Sequence, residues 1–233
     1  PYLVQAALFQ LTAKNSSQLL LTLSALVAGY TVSQNANYLS SFNVTTMLLA
    51  LSGLGFIALG QFVVILLGGV DLSVGPVVSL LAVIGSFLVA GPGVGQVVLG
   101  LAALTVVACL VGLLNGAMVR GVGMSPVIAT LVTYFAAQGV ALMLRPSPGG
   151  SIDPGLVAAL QSVVGPIPVS FIVLVALTLI LEWSLRRTRW GVEPRATGSS
   201  EPSAHRLGVA VDRRHVQAYV LCALLTFAGA LML

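Results

Sequence analysis

No charged side chain occurs between Asn15 and Val70, or between Gly121 and Leu144. Uncharged apolar stretches of this length are what spans of about 20 residues require. Only 7% of the 233 residues are charged and 58% are hydrophobic, whereas a soluble domain carries roughly a quarter charged residues. The sequence therefore predicts an all-α, polytopic helical membrane protein.

Orientation comes from the one long polar run, Glu182 to His215, which holds Arg186, Arg187, Arg189, Arg195, Arg206, Arg213 and Arg214. By the positive-inside rule this loop faces the cytoplasm, and with Lys14 and Arg120 it places nine basic residues inside against Arg145 alone outside. The net charge of +4 thus reports membrane orientation, not nucleic-acid binding. Inside the loop, Ser199 and Ser200 offer caps, Pro202 suits a first turn and Gly208 can take the left-handed conformation that closes a helix. A short surface helix is expected over Glu201 to Leu207.

About seven spans follow in order: Leu19 to Val32 after an interfacial lead-in at 1–18, Val44 to Leu67, Pro76 to Ala90, Gln96 to Val119, Pro126 to Leu144, Pro166 to Leu185, and Val216 to Leu233. Gly53, Gly55 and Gly60 in the second, and Gly112 and Gly116 in the fourth, are spaced to let helix backbones approach closely in lipid. Arg145 to Gly165 is the sizeable outer loop. The chain starts at Pro1 and ends at Leu233 within an apolar run, so it reads as cut at both ends, with a truncated seventh span.

Catalytic chemistry finds little support. Lys14 is the only lysine and follows Ala13, so no G-x-x-x-x-G-K-[ST] phosphate loop is present. His205 and His215 are the only histidines, and neither belongs to an H-E-x-x-H pair or lies near a cysteine that could share a metal. Cys109 and Cys222 sit in apolar runs and read as small hydrophobes. No cofactor is expected.

The sharpest local feature is Gly68-Gly69-Val70-Asp71-Leu72-Ser73-Val74-Gly75. Acids at membrane depth are costly and usually functional. Asp71 can instead cap the third span, its carboxylate accepting N–H groups from the Leu72 to Pro76 turn. Both readings hold together if a discontinuous helix end lines a pathway.

With these residues in view, the chain resembles the membrane permease subunit of bacterial ABC importers of the ribose, xylose and arabinose type. GGVDLSVG differs from that family's signature at Val70 alone. GLLNGAMVR at Gly112 to Arg120, SPVIATL at Ser125 to Leu131, RRTRWG at Arg186 to Gly191 and the later HRLGV match in order and spacing. The resemblance implies one transmembrane permease domain over 1–233 in the bacterial inner membrane, with no chemistry of its own. It implies as partners a second permease copy, an external periplasmic or extracellular sugar-binding protein, membrane lipid and a separate ABC ATPase subunit. It assigns Gly68, Gly69, Asp71, Ser73, Gly75 and Asn115 to the pathway or structural signature. A cytoplasmic coupling loop at 186–215 would present Glu201, Ser203, Ala204, His205, Arg206, Leu207 and Gly208 to the ATPase. Val192-Glu193-Pro194-Arg195 and Glu201-Pro202-Ser203 depart from the family pattern, and Pro194 is expected to break a helix continuing from Arg186.

Two other functions compete. An ion-coupled secondary transporter would use Asp71 as its proton or sodium site. A non-transporting scaffold or decayed permease would explain the altered loop. Which sugar is moved, or whether an amino acid or nucleoside takes its place, is not written in these residues.

Overall fold

The computed structural model describes residues 2–35, 37–91 and 93–233, with side chains described from Gln18 onward. Its helices are α1 (Tyr2–Gln34), α2 (Ser41–Leu66), α3 (Val74–Leu88), α4 (Val94–Arg120), α5 (Pro126–Leu144), α6 (Pro154–Leu160), α7 (Val169–Arg187), α8 (Arg189–Ser199), α9 (Glu201–Arg206) and α10 (Val211–Ala230). A short antiparallel hairpin, β1 (Val163–Val164) with β2 (Ile167–Pro168), turns at Gly165, whose φ is +64°.

Residues Pro1–Met47 and Leu48–Leu233 form two units. In the first, the lead-in expected at 1–18 is not separate: its described backbone is the start of α1, which runs unbroken to Gln34. The Asn43 amide donates to the Tyr38 carbonyl at 2.6 Å, closing the turn before α2.

The helical membrane class holds, but the expectation of seven spans does not. Among the described residues, α2, α4, α5 and α7 are long and apolar enough to cross a membrane. The third expected span forms as α3, two residues earlier than read, and at 15 residues is about 22 Å long at about 1.5 Å per residue, short of a bilayer core. The seventh starts early: α10 takes Asp212, Arg213, Arg214 and His215 into its first turns, which dilutes its apolar length. The loop expected on the outer side also carries α6, capped by Asp153 through the Leu156 N–H at 2.9 Å, and the hairpin.

Close helix approach explains the glycines. A Cβ on Gly112 would lie 2.5 Å from Val220 Cα, and one on Gly116 would lie 2.8 Å from Val216 Cα, so α4 meets the backbone of α10 there. Gly60 meets the Cys222 carbonyl at 2.9 Å and Gly53 the Gly229 carbonyl at 3.3 Å. Gly55 instead faces Leu174 of α7. The resulting core joins Val63, Val64, Leu67, Val119, Ala129 and Tyr219. We expect Gly112→Ala to destabilise the protein by about 1–3 kcal/mol through overpacking. Gly139→Ala, where no atom lies within 4 Å, should be neutral or slightly stabilising. Thermal melts of both variants in detergent check the contrast.

Candidate functional site

The non-helical segment between α2 and α3 is where the chain places polar groups in an otherwise apolar interior. Gly68, at φ +80°, turns the backbone out of α2. A side chain at Gly69 would come within 3.0 Å of the Tyr219 hydroxyl and of Val64. The chain can therefore pass close beneath α10 and deliver Asp71, 3% exposed, and Ser73, 1% exposed, to the interior.

Both oxygens of the Asp71 carboxylate accept hydrogen bonds. Oδ1 accepts the Ser73 N–H at 2.9 Å and the Ser73 hydroxyl at 2.6 Å. Asn115 of α4, fully buried, donates through Nδ2 to Asp71 Oδ2 at 3.3 Å and to Ser73 Oγ at 3.0 Å. Thr133 of α5 donates to Asn115 Oδ1 at 2.5 Å, which fixes the amide so that its N–H groups face the acid. In the orientation that gives each amide atom a partner, Gln61 of α2 bonds both backbone groups of Asp71, at 3.1 and 3.2 Å. Donors converging in this way replace the water that an acid loses on burial.

Asp71 does take an N–H from its own turn. The helix itself begins at Ser73, which makes no side-chain cap bond, and the second carboxylate oxygen reaches across to α4. The acid therefore joins the α2–α3 break to α4, and through Thr133 to α5. Gly75 lies apart: it is exposed on the first turn of α3 with no atom within 4 Å of a Cβ position.

The polar run folds into two helices, not one. Thr188 leaves the helical conformation at ψ 154°, ends α7 and caps α8 by accepting the Gly191 N–H at 3.2 Å. Pro194 does not break the run as expected; it is buried inside α8. It forgoes one backbone bond, and the helix persists on the Thr188 cap and on close packing, since a Cβ at Gly198 would lie 1.8 Å from the Leu66 carbonyl oxygen. Ser200 then caps α9 through the Ser203 N–H at 3.4 Å. Gly208, at φ +79°, closes it, with Gly208 N–H to His205 O at 3.0 Å and Val209 N–H to Ala204 O at 3.1 Å. Ala204 is buried, while His205, Arg206 and Leu207 are exposed, Leu207 by 79%.

Glu201 anchors α9. It receives Arg120 of α4 at 3.0 Å and lies 3.3 Å from His215 Nε2 of α10. Arg120 also holds Asp212 at 2.5 Å, and Arg214 pairs with Glu193 of α8 at 2.5 Å. Partly exposed pairs like these contribute about 0–1 kcal/mol each, so their effect is to fix position. A cleft of about 500 Å³, bordered by Gly68, Arg120, Pro126, Glu201 and His215, lies between this cluster and the α2–α3 break. A second cavity, about 330 Å³, is walled by apolar residues such as Leu81, Leu104, Leu156 and Phe227, with Gln161 as its one amide. Among the described residues no three His, Cys, Asp or Glu side chains gather as a metal requires.

Sequence reasoning missed Gln61, Thr133, Arg120, Asp212 and His215 as site members. Gln61 and Thr133 carried a usable signal, a lone amide and a hydroxyl within apolar spans. The ion pairs carried none, since Arg120 meets partners 81 and 92 residues away.

The family described as branched-chain amino acid transport system / permease component matches residues 43–233. A ribose import permease protein of Bacillus subtilis is 33% identical over 85% of this chain and 62% of its own length. An autoinducer 2 import system permease protein of an Enterobacter species is 35% identical over 86% of this chain and 60% of its own. A probable ABC transporter permease of Sinorhizobium fredii is 31% identical over 91% and 62%. The chain thus spans about three-fifths of the length of these relatives. No solved structure matches it. The chain thus belongs to the branched-chain amino acid transport system / permease component family.

Proposed function

We propose that this chain is the translocating subunit of an ATP-driven importer of a monosaccharide in the bacterial inner membrane. It receives sugar from an external binding protein, pairs with a second permease copy, and leaves ATP hydrolysis to a separate subunit docked on α9. The similarity to a ribose import permease supports the substrate class. The observation that carries the mechanism is the path through α4. Glu201 of α9 grips Arg120 at the end of α4, and Asn115 of the same helix grips Asp71 and Ser73 at the break before α3. Force applied to α9 therefore reaches the broken span through one rigid helix. The exposed His205, Arg206 and Leu207 form the knob available to the ATPase, while Ala204 is buried and the half-exposed Glu201 is held by Arg120.

Co-expression of the full-length protein with its ATPase provides the test. Deleting Ser199 to Gly208 should abolish ATPase co-purification and sugar-stimulated ATP hydrolysis, yet leave membrane insertion intact, because insertion relies on the apolar helices and flanking arginines. Full recovery of the ATPase by the deleted form would overturn the coupling assignment. Uptake into vesicles driven by an ion gradient without any ATPase would overturn the importer reading.

A further inference from the structure

Arg145 stands at the end of α5, a helix apolar and long enough to cross a membrane, and among the described residues it has no acidic partner. Its guanidinium lies over the Phe87 ring, 4.5 Å from the centroid. The following loop folds around it: a Cβ at Gly150, φ +101°, would lie 3.0 Å from Arg145 Cζ, and one at Gly149, φ +159°, would lie 3.4 Å from its Nη1. These φ values are ones that side-chain-bearing residues rarely adopt, so the two glycines let the loop turn back over the guanidinium. Arg145 Nε is buried and bonded to none of the described residues. Asp153, the one acid in this outer loop, is occupied at the start of α6 through the Leu156 N–H. The Nε is covered by protein, so the outer edge of the guanidinium, which borders the cleft and is held on several sides, is the part that offers a preformed fork to an oxyanion.

The cleft beside it, about 400 Å³, shows what carries that oxyanion. Ser86 and Ser147 lie near the arginine, and Ala82, Val83 and Leu142 continue the wall as carbon surface. In the same last turn of α5, Met143 and Leu144 are exposed by 85% and 47%. A charged fork at the end of a span, continuous with apolar surface, fits an amphiphile: phosphate at Arg145, acyl chain along α3 and α5. No acid lines the cleft, so nothing would receive a headgroup ammonium. We infer that this cleft is a binding site for one anionic phospholipid, with its phosphate on Arg145.

Native mass spectrometry of the full-length protein, titrated with phosphatidylglycerol or phosphatidylethanolamine, tests this. The wild type should retain one phosphatidylglycerol in preference to phosphatidylethanolamine. Arg145→Gln should lose that molecule, with apparent affinity down about tenfold, while Arg213→Gln on the polar run should keep it. Phe87→Leu, which leaves the charge but removes the stacking face, should give a smaller loss and guards against a misfolded arginine variant. Unchanged retention in Arg145→Gln, or equal retention of the two lipids, would overturn the site. Displacement of the lipid by millimolar inorganic phosphate would overturn the lipid assignment in favour of a free oxyanion.

Discussion

Asp71→Leu should abolish recovery of folded protein, whereas Asp71→Asn should fold and transport at a reduced rate. Leucine leaves the Ser73 N–H, the Ser73 hydroxyl and an Asn115 N–H without the acceptor they now share. Each buried donor left unpaired costs about 1–3 kcal/mol, and three of them approach the whole stability of a typical domain, about 5–15 kcal/mol. Asparagine keeps an oxygen for both Ser73 bonds. Its amide would face the Asn115 amide, but Asn115 can rotate, since the Thr133 hydroxyl can accept as well as donate. The expected cost is about one hydrogen bond, roughly 1 kcal/mol. Size-exclusion profiles of fluorescent fusions measure folding, and uptake with the ATPase measures transport. A monodisperse leucine variant would show that the bonds are dispensable. Complete loss of uptake in a well-folded asparagine variant would assign the charge itself a role in translocation.

The second large effect is expected at Gly198. Valine there must displace backbone, because the Leu66 carbonyl oxygen lies 1.8 Å and Leu67 Cα 3.3 Å from the added Cβ, and backbone cannot rotate away as a side chain can. The overpacking cost, about 1–3 kcal/mol or more, is met by lifting α8 off the end of α2. Because α9 follows α8 directly, the knob moves with it. We expect faster tryptic cleavage at Arg189, Arg195 and Arg206, and loss of ATPase co-purification, with unchanged membrane insertion. A proteolysis pattern identical to wild type would show that α8 does not rest on α2 through this glycine.

The parts of the fold written in local chemistry were legible. Pro126, suited to a first helical position, marked the start of α5, and the helix runs Pro126–Leu144 as read. Ser200 and Gly208 likewise bounded the short helix, because a cap and a left-handed closure are decided within a few residues. The span count was less legible. The break between the second and third spans was marked by Gly68, Gly69 and Asp71, but the length of α3 and the entry of Asp212 to His215 into α10 were not. Pro194 misled as well: one missing backbone bond is a local penalty, and packing of Gly191, Pro194 and Thr197 outweighed it. Asn115 could be named only through the resemblance, since its contacts to Asp71 and Ser73 span 44 and 42 residues.

At its far end α3 is fastened again: the Val89 carbonyl, just past its last turn, accepts the Asp153 N–H at 2.8 Å where α6 begins. The helix is thus a tie rod of fixed length, bolted to the buried acid at one end and to the outer loop at the other. It can tilt only by working loose at one fastening or by carrying a fastened element along. Freeing both ends together requires both fastenings to yield at once.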